Sequence, residues 1–315
     1  VVSVSEKVTA AMNNNPSMFA SDDPGDNVRY IGANPSNYVY FNCSDYNNQS
    51  DSTCEKWRII GVFNNVTKSD GSKENLVKII RDESVGNYSW DSSDSSVNSG
   101  YGVNDWTDAD AMKLLNPGYD SVSVGGSLYY NAKSGTCYNG SNNAPTSCDF
   151  TSTGLKNDTT RNAIETVVWN LGGTNAYDTS TASMFYTAER GTTLYSGSPT
   201  TWTGKVGLMY PSDYGYATGG SSNTSRATCL AKELYNWDSV SDCYNNDYLF
   251  NSAYQWTLAP YSGIGFDVFN VLSVGYVNSD RANYDFGVRP ALYLKSSISA
   301  DSGTGESSNP YRLKF

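Results

Sequence analysis

Asp105, Asp108, Asp110, Glu165, Glu189 and Asp213 are the carboxylates whose context suits paired acid–base work. Two carboxyl groups flanking a glycosidic bond, one protonated and one ionised, suffice for glycan hydrolysis. The chain's 25 Tyr and 7 Trp supply the aromatic faces a sugar cleft uses. The same acids have plainer work available. Asp105, Asp108 and Asp110 open a helical segment, where the dipole favours negative charge. Glu165 stands four residues after Arg161, within pairing reach on a helix. Structural roles are the expectation, and no residue is assigned as catalytic. Histidine is absent from the sequence, which removes Ser–His and Cys–His nucleophiles, imidazole metal ligands and imidazole proton transfer together.

Metal chemistry is sparsely served. Asp22, Asp23 and Asp26 form one run of oxygen ligands, and Asn245, Asn246 and Asp247 another. Neither has the spacing of a calcium loop with its closing bidentate Glu. Solvated turns are expected, no metal or cofactor is assigned, and calcium is the one ion chemistry left open. The six cysteines fall in three local pairs set in Asn, Ser, Asp and Gly. Six cysteines allow about 15 connectivities. Short loops close most readily, which favours Cys43–Cys54, Cys137–Cys148 and Cys229–Cys243. Zinc needs closer Cys spacing or His. Disulfides imply an oxidising compartment and hence export.

The richest stretch for recognition is 256–294, WTLAPYSGIGFDVFNVLSVGYVNSDRANYDFGVRPALYL. Its β-branched and aromatic content fits strands, with a hairpin turn at Gly275. Phe269, Val271 and Val277 would face a core. Tyr261, Ser262, Asp267, Asn270, Tyr276, Asn278, Asp280, Asn283, Tyr284 and Asp285 would then face water or a ligand. Tyrosine offers contact area at low entropic cost, while Asn, Ser and Asp offer adaptable hydrogen bonds. Arg289, the one charge in GVRPALYL, is expected to be buried and bonded to carbonyls or an acid. Trp57 and Trp256 are expected in the core.

W-x-L-x-P, then V-x-x-x-G-x-V, then G-V-R-P-A-L-x-L resembles the C-terminal module of C-type-lectin-fold proteins diversified by retroelements, and the related formylglycine-generating-enzyme-like folds. VRYIGANPSNYVYFN (28–42), CEKWRIIGVF (54–63), GKVGLMYPSDYGYA (204–217) and NPYRL (309–313) extend the likeness to a family of secreted Gram-positive gut-bacterial proteins. The resemblance implies an α+β, C-type-lectin-like domain whose terminal strands lie close together, with long polar loops stapled by the three local disulfides. The thiol chemistry of formylglycine-generating enzymes does not carry over, because every Cys has a local partner.

The elements that must hold these residues follow from pattern. Residues 2–14 read as a short amphipathic helix with Val2, Val4, Val8 and Met12 near helical spacing. Residues 1–20 are set apart as a helix packed on the domain or the remnant of a stalk, and 21–315 as a single α+β domain. WRIIGVF and 75–83 read as buried strands, 86–104 as a surface loop, and 105–116 as a helix stopped at Pro117 and Gly118. Residues 120–158 read as a polar insertion. The segment 159–173 reads as a helix capped by Thr160, with Ile164, Val167, Val168 and Leu171 on its apolar face. A strand and tight turn are expected around Pro211, and one short helix over 229–237.

A net charge of −11 and the lack of a basic cluster argue against nucleic acid, and against anionic membranes. No run approaches the roughly 20 apolar residues of a membrane span. The expectation is an exported, non-catalytic cell-surface adhesion protein that binds a carbohydrate or protein ligand. A structural subunit of a pilus-like filament is the alternative, and a glycan hydrolase a further one.

Overall fold

The computed structural model describes residues 2–92, 98–116, 134–138, 145–149, 158–195 and 197–315, with the backbone alone at 134–138, 145–149 and 158. The described chain opens as strand β1 (Val2–Ser3) and turns at once into α1 (Val4–Asn14). Ser3 caps that helix. Its Oγ accepts from the Glu6 amide while the Glu6 carboxylate accepts from the Ser3 amide, satisfying donors that a helix start leaves open. Val4 and Val8, one turn apart, are buried.

Short strands β2 (Phe19–Ala20), β3 (Val28–Tyr30) and β4 (Tyr38–Phe41) lead to the long hairpin β5 (Glu55–Thr67) and β6 (Lys73–Arg81). Trp57 to Phe63 is buried throughout, the continuous apolar run of a strand covered on both faces. The register slips between Phe63 and Val66, where Asn65 takes a left-handed φ of 53°, a conformation Asn tolerates. The expected surface loop after β6 instead holds β7 (Asn87–Tyr88) and the buried Trp90, whose Nε1 donates to Thr257 O at 3.1 Å. Asp105 caps the turn before α2 (Asp110–Leu115). The expected stop at Pro117–Gly118 lies outside the described residues. Within the predicted insertion, β8 (Ser134–Tyr138) and β9 (Pro145–Asp149) pair antiparallel. The Cys137–Cys148 pairing lies outside the described side chains.

The segment 159–173 departs from the helix expected of it. Helix α3 (Asp158–Ala163) ends early, Thr160 lies inside it, and β10 (Val167–Asn170) follows. Val167 and Trp169 are buried while Val168 and Asn170 are half-exposed, so a period of two wins over 3.6. Next come α4 (Ala182–Glu189), which pattern alone had not shown, β11 (Thr201–Gly204) paired with β10, and β12 (Val206–Gly207). Pro211 does not turn the chain but opens α5 (Pro211–Ala217) at its first position, where the missing N–H costs nothing. The single helix expected over 229–237 is α6 (Arg226–Ala231) followed by a 3₁₀ turn, Leu234–Ser239. Leu234 and Trp237 are fully buried, so the third cysteine loop is not the purely polar loop expected.

After α7 (Ser241–Tyr244) come β13 (Gln255–Pro260), β14 (Asp267–Val271), β15 (Val277–Arg281), β16 (Phe286–Gly287), β17 (Ala291–Tyr293), β18 (Ser299–Ser302) and β19 (Arg312–Lys314). The main sheet runs β12-β17-β6-β5-β3-β2 with β4 also on β5, and a second runs β15-β14-β13-β16-β7. A third, β1-β18-β19, brings both ends of the chain together as expected. Gln49 closes its β19 edge, accepting from Leu313 N at 3.0 Å and donating to Leu313 O at 2.7 Å. One core cluster runs from Val8 through Trp57, Trp169 and Trp256 to Leu313. Disulfides Cys43–Cys54 and Cys229–Cys243 form as expected. The molecule is a sheet-rich α+β fold.

Candidate functional site

The β14–β15 hairpin forms where the sequence places it, with Gly275 at φ 92° in the turn. Phe269, Val271 and Val277 are fully buried as expected, and so is Val268. The register pairs Asn270 with Asn278 and Val268 with Asp280, but Asp267 with Arg281. Paired residues share a sheet face and neighbours alternate. Asn270, Asn278 and Asp280 therefore lie on one face and Asp267 on the other. Asn270 is fully buried rather than facing water, because β14 is covered on both faces while Asn278 to Arg281 of β15 stay half-exposed. Its Nδ2 donates to Asp280 Oδ2 at 3.0 Å. Burial raises the carboxyls of Asp280 and Asp267, and the nearby Asp280 adds to the rise at Asp267.

The loop before the hairpin is held by buried Asn104, whose Nδ2 lies within 2.9 Å of the carbonyls of Tyr261, Ile264 and Asp267. The Ser262 amide donates to Thr174 O. Asn283 is tied to the 98–104 segment through Gly100 O and Tyr101 O. Tyr284 and Asp285 are exposed, and Tyr284 sits edge-on to Phe286, which stacks on Tyr254. The ten residues thus form no single patch.

Two of them meet residues from elsewhere. Tyr276 lies edge-on to Tyr235 at 5.5 Å between ring centroids, Tyr235 to Tyr177 at 5.3 Å, and Tyr177 to Tyr261 at 6.0 Å. All four rings are half-buried. None of their hydroxyls has a hydrogen-bond partner among the described residues. Sequence reading missed Tyr177 and Tyr235. Their only signal was a Tyr in a polar context, which 25 tyrosines make uninformative.

It also missed a buried charge cluster. Arg29 Nε meets Asp23 Oδ2 at 2.6 Å and its Nη1 meets Asp213 Oδ1 at 2.9 Å, while Lys78 Nζ meets Asp213 Oδ2 at 2.6 Å. Burial alone would raise the Asp213 carboxyl, but Lys78 and Arg29 together hold it down to about 2. Burial lowers Lys78. Beside it, Glu189 accepts from Ser212 N at 2.9 Å, Ser212 Oγ at 2.5 Å and Arg190 Nη1 at 3.2 Å. The one forewarning was Lys78 inside the apolar run NLVKIIR.

The remaining candidate acids are bonded to protein donors too. Asp105 accepts from Thr107, Asp108 from Lys113, Asp110 from Ser92, and Glu165 from the Thr166 amide. Asp22 pairs with Arg226, and Asp23 serves Arg29, Gly25 and Asn27. Asp247 is buried, its carboxyl raised by that burial, and it accepts from the Leu249 amide. No acidic group of metal-binding size occurs among the described residues. Arg289 is buried and bonded to the carbonyls of Arg81 and Leu249, and Trp57 and Trp256 are core, as expected. Among the described residues no helix is long and apolar enough to cross a membrane. Neither family models, curated proteins nor solved structures give a match to the chain.

Proposed function

We propose that this is an exported, non-catalytic recognition protein of a cell surface, with a C-type-lectin-like frame that holds a carbohydrate or protein ligand against Tyr177, Tyr235, Tyr261 and Tyr276. The observation that carries it is the edge-to-face series of four tyrosines, each half-buried and each with a hydroxyl that has no hydrogen-bond partner among the described residues. Such rings are rigid, apolar on one side and hydrogen-bonding at the tip, which is the make-up of a recognition surface. Three separate segments supply them, so the fold and not local sequence sets their spacing. Two disulfides support export. The engagement of the candidate carboxylates by protein donors supports a non-catalytic role.

A filament subunit is the second reading, favoured by β1 standing at an edge of the terminal sheet. A stalk would join through this extended strand, because the helix is capped at Ser3.

The test is a glycan and protein-ligand binding screen with wild type and the Tyr177→Ala/Tyr276→Ala double variant. Expected is binding lost roughly tenfold or more in the double variant, at an unchanged far-UV spectrum. Binding that survives the double substitution overturns the assignment of the surface. Glycan cleavage abolished by changing one Asp or Glu overturns the non-catalytic reading.

A further inference from the structure

A cavity of about 130 Å³ lies between the β5 irregularity, β10 and the end of α4, apart from the tyrosine series. It is smaller than the ~300 Å³ at which pockets begin to enclose a drug-sized ligand, so it suits a small molecule or one group of a larger one. Tyr210 and Tyr293 line it, and Lys78 Nζ lies 4.5 and 5.6 Å from their ring centroids. The ammonium is fully buried, does not line the cavity and is paired with Asp213. Arg190 is different. Its guanidinium lies 3.4 Å from the Tyr186 ring centroid, and Nη1 donates to Tyr186 O at 3.1 Å and Glu189 Oε2 at 3.2 Å. One edge and one face are fixed, while Nε and Nη2 have no acceptor among the described residues. Asn170, also lining the cavity, bonds Tyr210 Oη through its backbone amide and carbonyl, and its side-chain amide has no partner there.

We propose that this cavity binds a small carboxylate, which takes the free Nε–Nη2 edge of Arg190 and one hydrogen bond from Asn170, with its carbon skeleton against Tyr210 and Tyr293. A guanidinium edge offers two parallel N–H groups, matched to the two oxygens of a planar carboxylate. The tetrahedral oxygens and higher charge of a phosphate would need further cations, and Lys78 and Arg29, which lie against the lining residues Tyr210 and Phe63, are consumed by Asp213 and Asp23. Stacking on Tyr186 and anchoring on Glu189 hold the guanidinium in place before binding, which reduces the ordering cost. Burial pushes the Glu189 carboxyl up to about 7, so the anchor competes less for Arg190 as pH falls.

Titration calorimetry with sodium glucuronate, sodium acetate and glucose at fixed ionic strength tests this. Glucuronate should bind saturably and glucose should not. Arg190→Met and Asn170→Asp should each weaken glucuronate by about tenfold or more, the loss of a charge-assisted bond. Asn170→Asp breaks no side-chain bond among the described residues, so it reads the cavity even where Arg190→Met fails to fold. Glucuronate bound more tightly than acetate supports the site with an acidic sugar as source. Equal binding of the two supports it with a free carboxylate. Absence of saturable binding by either acid, equal binding of glucose, or glucuronate binding unchanged in Asn170→Asp overturns it. The Tyr177/Tyr276 variant shares no residue with this cavity, so the two proposals fail separately.

Discussion

Glu189 shows how one side chain sets a pH response. Burial is the main cause that lifts its carboxyl from 4.5 to about 7; Arg190 and Ser212 oppose the rise and Asp213 adds to it. The folded chain therefore keeps a proton that the unfolded chain releases from about pH 4.5. Stability from this group falls as pH rises through that window, and the loss is complete above about 7. Asp213, held down to about 2, works in the opposite sense. Its contribution is full above the ordinary 3.8 and is lost as pH falls toward 2. Glu189→Gln should flatten the decline in stability between about pH 4.5 and 8, a difference on the order of 3 kcal/mol. Denaturant unfolding across that range checks it, and parallel curves for both proteins would discard the assignment. Beyond the lone Lys78 in NLVKIIR, none of this was legible in sequence. Arg29 and Asp213 stand 184 residues apart and Lys78 and Asp213 135 apart, so no local pattern announces their meeting. Arg289 was legible, because a lone cation in an apolar strand has to find buried acceptors.

At the scale of the element, the β14–β15 hairpin was readable because alternation and a central Gly speak for the same structure. Gly275 is required twice. Its φ of 92° is left-handed, and an added Cβ would come within 2.2 Å of Tyr244 Cγ in α7. Its carbonyl also accepts from Tyr214 Oη at 2.7 Å. Gly275→Ala should cost about 2 kcal/mol or more in denaturant unfolding; a loss within experimental error would mean that the turn and α7 are free to separate. The 159–173 segment was unreadable for the opposite reason. Ile164, Val167, Val168 and Leu171 satisfy a helical stripe, while Val167 and Trp169 also satisfy a strand. What decides is pairing with Thr201–Gly204, a tertiary fact. The ten-residue recognition set failed as a single face for a related reason. Its strand β14 is covered on both sides, so alternation there no longer separates core from solvent, and Asn270 is buried.

Across the whole molecule the disulfides do unequal work. Cys43–Cys54 lies in a small cluster with Tyr40 and Tyr46 beside it, whereas Cys229 and Cys243 belong to the main core. In the chain-entropy account each is worth about 3 kcal/mol. Packing adds to the second, since Trp237 inside its loop lies 5.4 Å from the Tyr214 ring. Mild reduction should leave the far-UV spectrum intact at room temperature and open 44–53 to protease before 230–242. Earlier cleavage within 230–242 would show that its bond, not its packing, holds it. The meeting of the chain ends was legible from the resemblance, but the closure at their sheet was not. The Gln49 amide occupies Leu313 as a neighbouring peptide group would, so a second polypeptide cannot extend the sheet there without evicting it. With that border occupied, this sheet is open to strand pairing at Val2–Ser3 alone, and two copies joined there present no further edge of it to a third.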